Sequence, residues 1–128
     1  GTLTPEQIIA SNPEHVVVTG GSWEAYVPGG AWVGVGPGAD MTAARAKLAA
    51  LTERTAMTGV AAVGSGNVHA IWHQFYNSPY YFVAVQQLAK WLHPELFVDL
   101  DPEATMRELH ERFLPAGYEP GYWVSLGD

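Results

Sequence analysis

Apolar and polar residues follow two periods in succession between residues 68 and 92. Val68, Ala70 and Trp72 alternate with other side chains, as residues on one face of a strand do. Ser78-Pro79 then has the sequence of a helix start, with Ser as the N-cap and Pro in the first turn. Helical spacing predicts a wide apolar face after it, formed by Phe82, Val83, Val85, Leu88, Ala89 and Leu92.

Residues 73–77 join this predicted strand to this predicted helix. In open α/β sheets, ligands bind beyond the carboxyl ends of the strands, where the helices begin. The N–H groups at a helix start also favour an anion or a polar ligand atom. The pattern therefore makes the stretch from His73 to Asn77 a candidate binding loop.

The rest of the chain has the signals of helices alternating with strands. A capping box at residues 4–7 begins a short helix, which Asn12-Pro13 ends. The β-branched run at residues 15–19 predicts a strand that is buried on both faces. Two further helices are predicted at residues 40–56, capped by Asp40 or Thr42, and at residues 101–114, while residues 58–66 are predicted to form turns.

Strands that alternate with helices through short connections predict a three-layer, Rossmann-like α/β fold with a small, mainly parallel sheet. At 128 residues the chain is expected to form a single α/β domain, residues 1–128. Two predicted strands make a poor core, so we expect the sheet to be incomplete in this sequence. The chain is therefore interpreted as a piece of a longer protein.

Composition argues against several functions. The net charge is −7 with only six Lys and Arg residues, so nucleic-acid binding through phosphate contacts is not expected. No apolar run reaches the roughly 18 residues of a membrane span, so direct membrane insertion is not expected either. The absence of Cys excludes disulfides, thiolate metal sites and a Cys nucleophile.

A Gly- and Pro-rich stretch from Gly20 to Asp40 carries three large aromatic residues, Trp23, Tyr26 and Trp32. A loop of this length is either functional or disordered. Its aromatic content is unusual for a disordered linker. We therefore predict a binding loop with a short extended piece at residues 32–35, with ordinary loop packing of the aromatic rings as the alternative.

No catalytic or metal-binding motif is evident in the sequence. His69 and His73 lie on a predicted strand and at its end, without a carboxylate nearby, so no metal site is expected. The G-x-S-x-G motif of hydrolases is absent, and the acidic residues cluster at helix starts, where capping explains them. The chain is therefore not expected to be an enzyme, no catalytic residue is assigned, and no resident cofactor is predicted.

The order of four sequence motifs resembles a known family. The motifs are NPEHVVVTGG, AVGSGNVHAIW, NSPYYFVAVQQLAKWLHPELF and DPEATMRELHERFLP. In this order and spacing they are similar to the C-terminal lobe of the TroA-like (class III) periplasmic substrate-binding proteins for iron–siderophore, haem and corrinoid import. The resemblance implies two α/β lobes joined by a long helix, with the ligand between them. It also implies that the N-terminal lobe, the linking helix and the first strand and helix of the C-terminal lobe are absent from this sequence.

The function implied by the resemblance is solute binding for an ABC importer, with capture of a ferric siderophore and its delivery to a membrane permease. Haem or a corrinoid such as cobalamin is the alternative ligand, with His73 or Tyr76 as an axial ligand to haem iron. An enzyme or an interaction domain that reuses this lobe is a further alternative. The location implied is periplasmic or extracytoplasmic, with membrane attachment through the transporter or through a lipoprotein anchor outside this sequence.

The resemblance also implies which residues form the sites. Aromatic rings suit a flat ligand, and polar side chains can reach ligand oxygens. Glu6 is the expected docking carboxylate for an Arg of the permease, and its alternative role is to complement the helix dipole. The expected ligand contacts are Trp23, Tyr26, Trp32, His73, Tyr76 and Asn77.

Overall fold

The computed structural model describes residues 2–127. Its contacts group into two compact units: the described residues up to Trp72 together with those from Gly121 onward, and His73–Pro120. The elements of the first unit are α1 (Pro5–Ser11), β1 (Val16–Gly20), α2 (Met41–Thr52), α3 (Ala61–Ser65), β2 (Val68–Trp72) and β3 (Trp123–Ser125). The second unit contains the 3₁₀ helix η1 (His73–Asn77), α4 (Tyr81–Leu92) and α5 (Pro102–Phe113).

The sheet of the first unit has the strand order β1-β2-β3. Strands β1 and β2 are parallel, with Val16 opposite Val68. Strand β3 pairs antiparallel with β2, with Val124 opposite Ala70. The predicted α/β class is confirmed. The sheet is mixed rather than mainly parallel, because β3 adds an antiparallel strand. With only three residues, β3 is too short to leave a periodic pattern in the sequence.

The core of the first unit lies between the sheet and α2. Helix α2 contributes Ala44 and Leu48, and the sheet contributes Val68, Ala70 and Val124. Residues 32–35, predicted to be extended, form no strand; Val33 and Val35 are nevertheless fully buried in the same cluster. Because burial of a valine stabilises by about 1.5–3 kcal/mol, these two residues fix the end of the Gly20–Asp40 stretch to the core.

The predicted capping box of α1 is confirmed. The Thr4 N–H donates to Gln7 Oε1 (2.8 Å), and the Gln7 N–H donates to Thr4 Oγ1 (3.3 Å). Asn12 ends the helix in the left-handed region at φ 41°, and its Oδ1 accepts the N–H of Ala61 at 2.9 Å. That bond caps α3, a helix in a stretch that the sequence predicted as turns.

Three predicted boundaries or faces are wrong. Helix α2 ends at Thr52, not at 56, because its last turn tightens to three-residue spacing: the N–H of Arg54 donates to the carbonyl of Leu51. Helix α4 begins at Tyr81, since the Ser78 hydroxyl accepts the N–H of Tyr80 in a turn that precedes the helix. Strand β1 is not buried on both faces, because Val17 and Thr19, which share one face, are exposed.

In the second unit, α4 packs against α5. The burial of the apolar face of α4 differs from the prediction. Of the predicted apolar face of α4, Val83 is buried, whereas Phe82, Val85 and Leu92 are exposed. Asp101 caps α5 by accepting the N–H of Ala104 at 2.9 Å, as its cap-and-proline sequence predicted. The helix predicted from the apolar spacing is therefore present, but only part of its predicted apolar face is buried.

Candidate functional site

The stretch between β1 and α2 is folded back on itself. The N–H of Gly21 donates to the carbonyl of Val33 (3.1 Å), which joins the start of the stretch to its second half. Glu24 Oε1 accepts the N–H of Gly29 at 2.7 Å, and the N–H of Val27 donates to the carbonyl of Trp23 at 3.0 Å. These bonds give an ordered loop at the carboxyl end of β1, as the sequence predicted.

Two of the predicted contact residues in this loop meet. The rings of Trp23 and Trp32 lie edge to face, with centroids 5.8 Å apart and planes at 78°. Both indoles are half-buried. A Cβ at Gly30 would come within 2.0 Å of the Trp32 ring, so only glycine allows this ring position. The third predicted residue, Tyr26, is 82% exposed and points into solvent.

A cavity of about 400 Å³ lies between this loop and the first half of α2. Trp32 lines it, together with three charged residues that the sequence did not single out as site residues, Glu24, Asp40 and Lys47. The remaining lining residues are small and leave room for a ligand: Gly21, Ser22, Gly34, Ala39, Ala43 and Ala44. We call this space the loop–helix cavity.

The charged residues of the loop–helix cavity are bonded to one another and to the backbone. The Lys47 ammonium donates to the carbonyl of Gly30 (3.0 Å) and lies 3.5 Å from Glu24 Oε2. Asp40 Oδ1 accepts the N–H groups of Thr42 (2.9 Å) and Ala43 (3.1 Å). The pKa of Glu24 is lowered, first by the N–H of Gly29 and then by Lys47, so its carboxyl group is ionised at neutral pH.

One sequence signal could have revealed these charges. Asp40, Ala43, Ala44 and Lys47 are spaced three, four and seven residues apart, which places them on one face of a helix. The local sequence predicts only a capping role for Asp40, and Asp40 does fill that role. Nothing local identifies Glu24, because its partner Lys47 belongs to the following helix.

The second group of predicted contacts lies on η1, where the sequence predicted a loop. His73 and Tyr76 are three residues apart, and side chains at this spacing eclipse in a 3₁₀ helix. Their rings are 4.9 Å apart, tilted by 50°. Tyr76 is 73% exposed, Asn77 is also exposed, and buried Phe75 anchors the turn. The structure thus pairs Trp23 with Trp32 in one unit and His73 with Tyr76 in the other, and ligand contact by each stays a prediction.

Glu6 lies in the exposed first turn of α1. Its pKa is lowered by a hydrogen bond to its own backbone N–H and then by the hydroxyl of Thr4. This arrangement agrees with the alternative role, in which the carboxylate complements the helix start. An exposed carboxylate in this position is also accessible to a basic partner, so permease docking stays a prediction.

Within residues 2–127, no group of three His, Asp or Glu side chains is placed to hold a metal ion. His69 is buried, and its Nδ1 is 2.8 Å from Ser125 Oγ. None of the helices in the described part of the chain has the length and hydropathy to cross a bilayer.

Comparison with solved structures supports the resemblance inferred from the motifs. No protein-family model matches the sequence, and neither does any curated protein. The fold matches the crystal structure of the TroA-like periplasmic binding protein FepB from Veillonella parvula, with a TM-score of 0.89 and 28% sequence identity. The match covers 98% of this chain and 36% of that chain. The resemblance predicted from the motifs is confirmed, and the matched protein is a binding protein, in agreement with the expectation of a non-enzyme.

Proposed function

We propose that this chain, which is built like part of a TroA-like periplasmic binding protein, is the C-terminal ligand-capturing lobe of an ABC-importer solute-binding protein. The observation that carries the proposal is the structural match along 98% of the chain. The position of the loop–helix cavity supports it, because the cavity follows the carboxyl end of β1, where α/β sheets bind ligands.

The proposed ligand is an iron complex of the siderophore type. Half-buried Trp32 offers a flat apolar surface on one wall of the cavity, and Trp23 holds that ring in place. Capture then needs no covalent step: the aromatic wall covers the organic shell of the chelate, and polar groups fix its orientation. Delivery to a permease, with docking through Glu6, and an extracytoplasmic location belong to the same proposal.

A flat macrocycle is the alternative ligand. The rings of His73 and Tyr76 lie together on η1, and both residue types serve as axial ligands of haem iron. A corrinoid presents a similar flat face to aromatic side chains. Haemin and cobalamin are therefore tested beside the siderophores.

Tryptophan fluorescence tests the proposal. Titration of the chain with ferric siderophores, haemin and cobalamin should give saturable quenching by one class of ligand, without turnover. Substitution Trp32→Phe should weaken binding, whereas Trp91→Phe, a matched change on α4, should leave the affinity unchanged. Calorimetry of the same mixtures separates binding from light absorption by the ligand, and an absence of binding by all three classes would overturn the proposal.

A further inference from the structure

We propose that the ligand of the loop–helix cavity is a neutral or cationic metal chelate, and that the cavity discriminates against anionic chelates. This inference rests on the proposed function, since it assigns a charge class to the ligand of that same site. It follows from the charges that line the cavity and from what each of them already bonds.

The lining carries more negative than positive charge. Glu24 and Asp40 contribute two carboxylates, and Lys47 is the one cation among the described lining residues. Its ammonium is held by the carbonyl of Gly30 and by the Glu24 carboxylate. An anionic ligand would therefore meet a net negative wall whose single cation is already paired.

The start of α2 does not reverse this balance. A helix start attracts anions through its exposed N–H groups. Here the N–H groups of Thr42 and Ala43 both donate to Asp40, so a carboxylate of the protein occupies the position that an anionic ligand would take. Glu24 also stays ionised, because the Gly29 N–H and Lys47 lower its pKa.

The other cations in this part of the chain do not line the loop–helix cavity. Arg45 is exposed on α2, and Arg54 lies just beyond the end of that helix. Arg54 lines a separate cavity of about 120 Å³, which shares Lys47 with the first. Arg54 is seven residues after Lys47, and the helical part of this segment, to Thr52, already spans roughly 7–8 Å at 1.5 Å per residue, so the full separation is roughly 10 Å. That distance is about one Debye length at ordinary ionic strength, so salt screens most of its attraction. The net charge of the chain, −7, acts in the same direction at long range.

Three ferric chelates of different charge test the inference by isothermal titration calorimetry. Ferrioxamine B is cationic, ferrichrome is neutral and ferric enterobactin is a trianion. We expect the wild-type chain to bind the cationic or neutral complex at least about tenfold more tightly than the trianion at low salt, and the difference to shrink at high salt.

Charge-neutral variants assign the effect to the cavity. Asp40→Asn keeps a good N-cap, and Glu24→Gln keeps an oxygen that can accept the Gly29 N–H. The double variant should bind the trianion about tenfold more tightly than wild type. Glu14→Gln removes an exposed carboxylate of the same unit that does not line the cavity, and should leave all three affinities unchanged.

The possible outcomes separate the two proposals. Tightest binding of ferric enterobactin, or equal binding of all three complexes, would overturn the charge inference and leave the solute-binding function standing. An equal effect of Glu14→Gln and of the cavity variants would also overturn it, because the selectivity would then come from net charge alone. Failure of every chelate, haemin and cobalamin to bind would overturn the proposed function and the inference with it.

Discussion

The indole of Trp32 stands edge to face against that of Trp23, with 5.8 Å between their centroids. Such a pair stabilises by about 0.5–1.5 kcal/mol beyond the burial of the two rings. It joins the beginning of the loop after β1 to the part that leads into the buried residues Val33 and Val35. The pair therefore determines the shape of the aromatic wall of the loop–helix cavity.

Removing Trp23 should weaken both the loop and the site. We expect Trp23→Ala to lower the free energy of unfolding by about 1–2 kcal/mol and to weaken chelate binding, because Trp32 loses the ring that orients it. Trp23→Phe, which retains an aromatic edge, should restore part of both. Urea unfolding and calorimetry measure the two effects, and a fully stable Trp23→Ala chain would show that the pair is not structural.

Gly30 should tolerate no side chain. Its Cβ would overlap the Trp32 ring, so we expect Gly30→Ala to displace the ring, reduce the near-UV circular dichroism of tryptophan and cost about 1–3 kcal/mol. Gly34→Ala is the matched control in the same loop, since a Cβ there meets no atom within 4 Å. Equal spectra and stabilities for the two variants would contradict the close packing of Trp32 on Gly30.

Asn12 should stabilise two helices at once. It ends α1 in the left-handed region and caps α3 through its side chain. We expect Asn12→Ala to destabilise the chain by about 1–2 kcal/mol, because it loses the cap and strains the backbone. Asn12→Gly relieves the strain and loses only the cap. Its unfolding midpoint in urea should therefore lie between those of wild type and Asn12→Ala. A glycine variant as stable as wild type would mean that the bond to Ala61 contributes nothing.

Acidification should remove the contribution of Glu24. Because its pKa is lowered in the folded chain, the ionised form stabilises the fold fully above the ordinary pKa of 4.5, and this contribution is lost as the pH falls through that value toward the lowered one. The stability difference between wild type and Glu24→Gln should therefore be present at pH 7 and vanish in acid. Thermal melts across this range test it beside Glu14→Gln, and a difference independent of pH would exclude an ionised Glu24 as its cause.

Glu6 should matter for delivery and not for capture. Under the proposed function, Glu6→Gln should reduce ligand-dependent stimulation of permease ATP hydrolysis while leaving chelate affinity unchanged, because Glu6 does not line the loop–helix cavity. Glu14→Gln again supplies the control. Unchanged stimulation by Glu6→Gln would leave the carboxylate with its role at the helix start alone.

Features encoded by neighbouring residues were predictable from the sequence. The capping box of α1, the cap of α5 and strand β2 each depend on a few adjacent positions, and all three are present. Helix α3 was missed because it lacks a side-chain cap of its own, and Asn12 supplies one from 49 residues away. Strand β3 has only three residues and forms by pairing with β2.

In the candidate site, too, only the features encoded by neighbouring residues were predictable from the sequence. The aromatic content of the loop predicted Trp23 and Trp32, because large rings among glycines are visible in the sequence. The charged residues of the cavity depend on an ion pair between the loop and the middle of α2, which no local pattern records. The exposed position of Tyr26 likewise depends on how the loop folds back.

Strand β3 has a consequence for how the protein is made. It pairs with β2 from the far end of the chain, and the buried contact between His69 and Ser125 spans 56 residues. A nascent chain cannot complete this sheet until residues 123–125 have left the ribosome, although its local helices can form earlier. Truncation before β3 should therefore trap the first unit in an aggregation-prone state.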